Sequence, residues 1–233
     1  FSFRKTSGPV FQPGWSLQSY EKIVSSLSAP VINTLIYSST AVILIVIGGT
    51  LIGYLIARRS NFYTAALDAL LMVPYLVPGI VMGIALVTRF NVPPLAITGT
   101  GIILVLAVFI RRLPYTARAV AMALKQLSPS LEEAAISLGY KPWKAFIKIT
   151  IPLISSGILA GALMSFVTAM NELSASLVLY VGGTITMPVR IYLSVMDGDY
   201  GTASALATIL LVLTVSAVYT AFQLSGKKQA IVM

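Results

Sequence analysis

The sequence predicts an all-α, polytopic helical membrane protein, and three observations carry that prediction. Hydrophobic residues make up 57% of the 233-residue chain and charged residues only 10%, with a mean hydropathy of +0.90. Soluble domains carry about 25% charge, so water is not the main solvent here. The apolar residues fall in runs of about 20, the length at which a helix crosses a hydrocarbon core. They do not alternate with polar residues as the short strands of an outer-membrane barrel do. Together these features exclude a soluble enzyme, a nucleic-acid-binding module and a disordered tail.

Residues 1–30 are polar and contain Pro9, Pro13, Gly14 and Trp15, the composition of an extended arm or linker. Apolar spans follow at roughly 31–57, 64–88, 97–111, 153–180 and 203–224, so the transmembrane domain covers 31–224 and a tail covers 225–233. In the second span Pro74 and Pro78 precede Gly79 and should kink or interrupt the helix. Interrupted helices line cavities in many transporters, which makes both prolines candidate pathway or gate residues; ordinary membrane helices carry proline as well. Glycines recur four apart, as Gly49 with Gly53, Gly79 with Gly83, and Gly157 with Gly161, the spacing that lets helices pack closely in lipid.

Five spans put the termini on opposite sides. Arg58, Arg59, Arg111, Arg112, Arg118, Lys125, Lys141, Lys144, Lys148, Lys227 and Lys228 then share one side. Arg4, Lys5, Lys22, Arg89 and Arg190 share the other. Eleven basic residues against five make the first side cytoplasmic, with the tail, and place the arm outside. A basic outside arm implies an upstream span, so the sequence is expected to belong to a longer polypeptide, such as a duplicated protein. Neither Cys nor His occurs, which removes zinc sites, disulfides and imidazole relays. No metal, cofactor or catalytic residue is expected.

The charge-rich stretch 112–152 reads as a cytoplasmic loop. Ser128 before Pro129, or Ser130 with Glu133 three residues on, is a helix start signal. Glu132 and Glu133 occupy the first turn, where the helix dipole favours anions. Ala134, Ala135 and Leu138 continue the helix, and Gly139 can end it in a left-handed cap. A second helix can begin near Pro142, with Trp143, Phe146 and Ile147 on one face and Lys144 and Lys148 on another. Pro152 marks the entry to the fourth span. Taken alone, the pattern also fits a pair of amphipathic helices lying on the lipid surface.

The spacing within 128–152 adds a family resemblance. Glu133-Ala134-Ala135, three residues, Gly139, nine residues and Ile149-x-Ile151-Pro152 resembles the EAA loop of bacterial binding-protein-dependent ABC importer permeases, the MetI-like membrane domain. The family pattern ends in Ile-x-Leu-Pro, so Ile151 is a mild departure. The resemblance implies the type I importer permease fold, with a core of about five helices, in a bacterial inner (plasma) membrane. It also implies a role in ATPase coupling for Glu132, Glu133, Ala134, Ala135, Leu138, Gly139, Ile149 and Pro152. The implied partners are a cytoplasmic ABC ATPase dimer, a second permease half or subunit, an extracytoplasmic substrate-binding protein and membrane lipid, with no nucleic acid. The chain has no Gly-x-x-x-x-Gly-Lys-Ser/Thr phosphate loop, so any ATP is expected to be used by a partner ATPase and none bound directly.

The substrate signal is thinner. Asn171-Glu172-Leu173-Ser174-Ala175-Ser176 and the later Asp199-Tyr200-Gly201 resemble the second half of iron(III)-type permeases. Thiamine, aminoethylphosphonate, sulfate and polyamine permeases are similar too. Glu172 lies about 28 Å along a helix from Leu153, and a carboxylate within the apolar layer costs roughly 2.5–3.5 kcal/mol. It is read as an interfacial or structural residue, as a pathway residue with Asn171, or as the partner of Arg190 or another base. As a titratable pathway group it would instead suit an ion-coupled secondary transporter. The segment 181–202 reads either as a short helix or re-entrant piece from Met187 to Met196, started by Pro188 and ended by Asp197, Gly198 and Asp199, or as an ordinary surface loop.

Overall fold

The computed structural model describes residues 1–59 and 61–229; of Ser7 and 224–229 only the backbone is described, and the tail residues 230–233 lie outside the described residues. Among the described residues the regular structure is helical apart from one antiparallel hairpin, β1 (Arg4–Ser7) and β2 (Val10–Trp15). Among the described residues two helices are each long and apolar enough to cross a membrane: α2 (Ser28–Arg58) and the 200–223 portion of α12 (Tyr200–Gln229). Two further pairs reach that length when each is taken as one broken span. These are α3 (Phe62–Leu76) with α4 (Gly79–Phe90), and Pro142–Leu153 with α9 (Ser155–Met170). A fifth long helix, α5 (Gly101–Lys125), carries three arginines.

Several expectations need correction. The first 30 residues are not an extended arm: they fold as the hairpin followed by α1 (Gln18–Ser26). The third helix does not stop at residue 111 but runs on to Lys125, so the first third of the expected loop is helical. Hydropathy falls there because Arg111, Arg112, Arg118 and Lys125 interrupt the run. Ala117, Val120, Ala121 and Leu124 nevertheless keep a buried stripe at helical spacing. The expected span 153–180 is also cut short. Helix α9 ends at Met170, and a turn at 171–175 precedes the single turn α10 (Ser176–Leu179). The second span breaks after Leu76 with Pro78 ahead of α4, whereas Pro74 stays inside α3.

The chain divides into two compact units. The first comprises residues 1–41, 77–108 and 167–219. In it the Thr34 hydroxyl accepts the Met187 N–H at 2.7 Å, and Asn33 Nδ2 donates to the Gly183 and Ile185 carbonyls at 3.1 and 3.0 Å. These bonds seat the start of α11 (Met187–Met196), the short helix that is one reading of the sequence. It ends with Gly198 at φ +73°; the Gly198 N–H bonds the Val195 carbonyl and the Asp199 N–H the Ser194 carbonyl. That paired closure satisfies two carbonyls the helix end would otherwise leave open.

The second unit comprises 42–76, 109–166 and the chain from 220 on. Here the glycine pairs act as the sequence suggests. A Cβ on Gly53 would lie 2.5 Å from the Ala117 carbonyl oxygen, and one on Gly161 would lie 2.6 Å from Thr116 Cα. Helix α5 is therefore gripped by the bare faces of α2 on one flank and α9 on the other, at distances only glycine permits. Between them Thr116 and Ser165 share a buried hydroxyl–hydroxyl bond of 3.2 Å.

Candidate functional site

The loop singled out by the sequence folds in the second unit as α6 (Ser130–Ser137), a reversing turn at Gly139, and a second helical piece. That piece is α7 (Pro142–Ala145), a π turn over Phe146–Thr150 and α8 (Ile151–Leu153). Of the two start signals, the Ser130–Glu133 capping box is not formed, and Ser128 and Pro129 open α6. Pro129 stands at the N-cap, Ser128 Oγ accepts the Ser130 N–H at 3.3 Å, and the Pro129 carbonyl receives the N–H groups of Glu132 and Glu133. The exposed Glu133 side chain makes no cap bond.

Gly139 closes the helix as expected, at φ +89°. Its N–H bonds the Ile136 carbonyl at 2.9 Å and the Tyr140 N–H bonds the Ala135 carbonyl at 3.1 Å, the paired bonds of a Schellman closure. A Cβ at Gly139 would have no neighbour within 4 Å. Glycine is therefore required by the backbone angle and not by crowding.

What holds the loop in place is Glu132. Its Oε1 accepts the Tyr54 hydroxyl at 2.8 Å and its Oε2 lies 3.5 Å from Arg58 Nε; the Arg58 and Glu132 side chains are only 15% and 12% exposed. Arg58 Nη1 also donates to the Leu127 carbonyl at 3.3 Å, and the Tyr54 ring meets Phe146 edge-on at 4.7 Å. Ala135 and Ala145 are buried beneath the loop. Tyr54, Ala57 and Leu127 in turn pack against the core of Val120, Leu124 and Ile154. The last turn of α2 thus grips both helical pieces through a largely desolvated charged pair and one aromatic contact.

Other sequence candidates divide between inside and outside. Ala134, Glu133 and Leu138 point to solvent while Ala135 points inward, so the two alanines do not form one surface. Trp143 and Ile147 are exposed but Phe146 turns in against Tyr54, which splits the expected Trp143–Phe146–Ile147 face. Leu131, Ile136, Leu138, Tyr140, Trp143 and Ile147 leave an apolar outer surface on the loop. Ile149 is half-buried in the π turn and Pro152 is exposed in α8. The helix bends by 71° two residues later, at the buried Ile154, and not at Pro152 itself. Tyr54 and Arg58 were not among the residues the sequence singled out. Their only signal was a tyrosine and an arginine one helical turn apart at the end of a span.

The candidates near the fourth span lie in the first unit. Glu172 is 5% exposed, and its Oε1 accepts the Ala175 N–H at 3.1 Å, so it organises the turn ahead of α10. It also lines a cavity of about 10 Å³ with Thr34, Tyr37, Ser38, Ser176 and Thr186. Asn171 Nδ2 donates to the Val167 carbonyl at 2.8 Å. Arg190 forms no ion pair with Glu172; its Nε is buried without a hydrogen-bond partner. Pro78 is exposed and Pro74 half-buried. Among the described residues no group of three or more His, Cys, Asp or Glu could hold a metal.

The profile of the family described as "Binding-protein-dependent transport system inner membrane component" matches residues 49–225. In sequence the chain is similar to the ferric transport system permease protein FbpB of Actinobacillus pleuropneumoniae. The two are 38% identical over 181 residues, 78% of this chain and 26% of that protein. The putative ferric transport system permease protein FbpB 1 of Haemophilus influenzae is 39% identical over 161 residues, 69% of this chain and 25% of that protein. The sulfate transport system permease protein CysT of Escherichia coli is 27% identical over 212 residues, 84% of this chain and 74% of that protein. The chain thus spans about a quarter of the length of the two ferric-transport relatives. Among solved structures, a bacterial ABC transporter involved in import of the acidic polysaccharide alginate aligns with a TM-score of 0.77 at 16% identity, covering 93% of this chain and 85% of that one. The inward-facing MetNI methionine ABC transporter aligns at 0.73 and 16% identity, covering 89% and 98%. At such identities the likeness is one of fold.

Proposed function

Given that the chain belongs to the family of inner-membrane components of binding-protein-dependent transport systems, we propose that it is a permease half of an ATP-driven importer, coupled through α6 to a separate ATPase. The observation that carries this reading is the build of the loop. An eight-residue helix is closed by Gly139, clamped from behind by Tyr54 and Arg58 through Glu132, and left with Leu131, Ala134, Ile136 and Leu138 facing outward. A surface that is apolar outside and rigidly tied inside suits the passing of a partner's motion into the bundle. In the proposed cycle, ATP closes a paired cytoplasmic ATPase, the loops move with it, and the helices open the pathway to the other side.

The loop side is then cytoplasmic, with the C-terminus, and the hairpin side faces a substrate-binding protein. The remaining part of the longer protein, or a second subunit, supplies the other half. The cargo we propose is iron(III), on the likeness to the two ferric-transport proteins. Sulfate and 2-aminoethylphosphonate permeases are also similar, at 27% and 28% identity, and remain the competing cargoes, with thiamine and polyamines behind them. Near the pathway, we propose that the Pro78 break and the Asn171–Glu172 turn shape the helices that line it, with Pro74 of α3 and Arg190 of α11 as further candidates.

Uptake of radioactive iron by proteoliposomes that hold the whole transporter, its ATPase and its binding protein tests this directly. Uptake should require ATP, survive a proton uncoupler, and be lost in Glu133→Lys while the complex with the ATPase still assembles or assembles weakly. Uptake that continues without ATP and stops with the uncoupler would instead mark an ion-coupled carrier.

A further inference from the structure

The hairpin and α1 present an aromatic surface that nothing above uses. Trp15 is 91% exposed and Phe1 79%, with Phe3, Val10, Leu17 and Val24 exposed around them. Phe3 stacks on Tyr20 of α1 at 5.2 Å and lies 6.4 Å from Trp15, while Phe1 meets Phe11 at 5.0 Å. The hairpin and the helix therefore share one ridge. Arg4 and Lys5 are exposed beside it. Within the first 26 residues Glu21 is the sole acid.

The chain fixes the depth of this ridge. Only Leu27 separates α1 from α2, so α1 lies at the entrance of a span. It is also fastened to the start of the other long span. Lys22 Nζ bonds Asp199 at 2.6 Å, one residue before α12. Thr6 of β1 and Ser19 of α1 both lie so close to Gly201 that a Cβ there would strike their hydroxyls. The hairpin thus sits beside the first turn of α12, at the entry of an apolar helix long enough to cross a membrane. Rigid aromatic rings with adjacent basic residues at that level match the composition of a membrane interface.

We propose that the Phe1–Trp15 hairpin and α1 form an interfacial anchor whose aromatic ridge is seated among lipid headgroups and upper acyl chains, with Arg4 and Lys5 on anionic headgroups. The anchor holds the Asp197–Gly201 turn, and with it the entry of α12, at a fixed depth. The inference rests on α2 and α12 crossing the bilayer and is independent of the cargo and of the ATPase.

A nitroxide on Leu17→Cys in the assembled transporter, in nanodiscs of phosphatidylcholine and phosphatidylglycerol at about three to one, reads the depth. The chain's own lack of cysteine makes the label unique within it. Oxygen should broaden the signal and a water-soluble nickel chelate should not, with or without the ligand-loaded binding protein. Nickel access overturns the proposal. So does protection that appears only when the binding protein is added, which would assign the ridge to protein docking. A second readout leaves the fold untouched: the fluorescence difference between the native protein and Trp15→Phe should be quenched by brominated lipid, and an unquenched difference would be equally fatal.

Discussion

Replacing Gly139 separates backbone strain from crowding at the turn that closes α6. The residue sits at φ +89°, and a Cβ there meets nothing within 4 Å, so a substitution costs conformation alone. Holding an ordinary L-residue in the left-handed region costs roughly 1–2 kcal/mol. At 1.36 kcal/mol per tenfold, that raises the population of an opened turn about 5- to 30-fold. Asn tolerates this region better than Ala, and a β-branched side chain tolerates it least. The expected order of damage is Gly139→Asn, then Gly139→Ala, then Gly139→Val. A packing account gives a different order, because Asn is larger than Ala. Hydrogen exchange of the 138–140 amides, measured by mass spectrometry in nanodiscs, reads the opening directly. If Ala protects the turn better than Asn, or if Val exchanges like the native protein, the backbone argument is wrong.

Further outcomes follow from the same geometry. Tyr54→Phe removes the donor to Glu132; a net loss near the low end of the roughly 1.5–3 kcal/mol for bonds to charged groups should speed exchange across α6 about tenfold, while Arg58 keeps the loop attached. Unchanged exchange there would mean the clamp does not hold the helix. Gly161→Leu must displace Thr116, whose Cα would lie 2.6 Å from the new Cβ, and should lower the thermal midpoint in detergent through an overpacking cost of about 1–3 kcal/mol; Gly182→Ala, with open space around it, should not. At the start of α12, burial alone would raise the Asp199 carboxyl, but hydrogen bonds from Lys22 and Thr202 outweigh it and hold the group below its ordinary value of 3.8. A depressed carboxyl contributes stability that is present above the unfolded value and lost as pH falls through the folded one. Proteolysis of the hairpin should therefore stay slow at neutral pH and accelerate only below about pH 4, and Lys22→Met should abolish that pH step.

The legible parts of this fold were those set by short-range rules. Gly139 announces a left-handed turn because few other residues tolerate one, and the structure has it. Met187 to Met196 is bounded by Pro188 and Gly198, and the glycine pairs declare close helix contacts by spacing alone. What hydropathy misjudged was α5, since a window average adds the arginines of one face to the alanines and valines of the other. The Glu132 clamp was beyond local pattern altogether: Tyr54 and Glu132 are 78 positions apart, and no periodicity within either helix signals the pairing. Glu133, which the capping rule favoured, has no such partner because Pro129 had already taken the N-cap. The hairpin escaped notice because its strands are short, β1 is polar and β2 carries Pro13 and Gly14, which read as loop residues, and Phe3 is ordered by its stacking on Tyr20 of α1, not by alternation.

Ala134→Cys offers the most direct measurement of the central claim, that α6 carries a partner ATPase's motion into the bundle. The position is exposed on the outer side of the clamped helix, and the chain brings no competing cysteine. In the assembled transporter a short bifunctional reagent should join it to the ATPase, with a yield that changes between nucleotide-free and ATP-bound states. A cysteine that reacts instead with a membrane-impermeant thiol reagent from outside intact cells, and never joins the ATPase, would contradict the account.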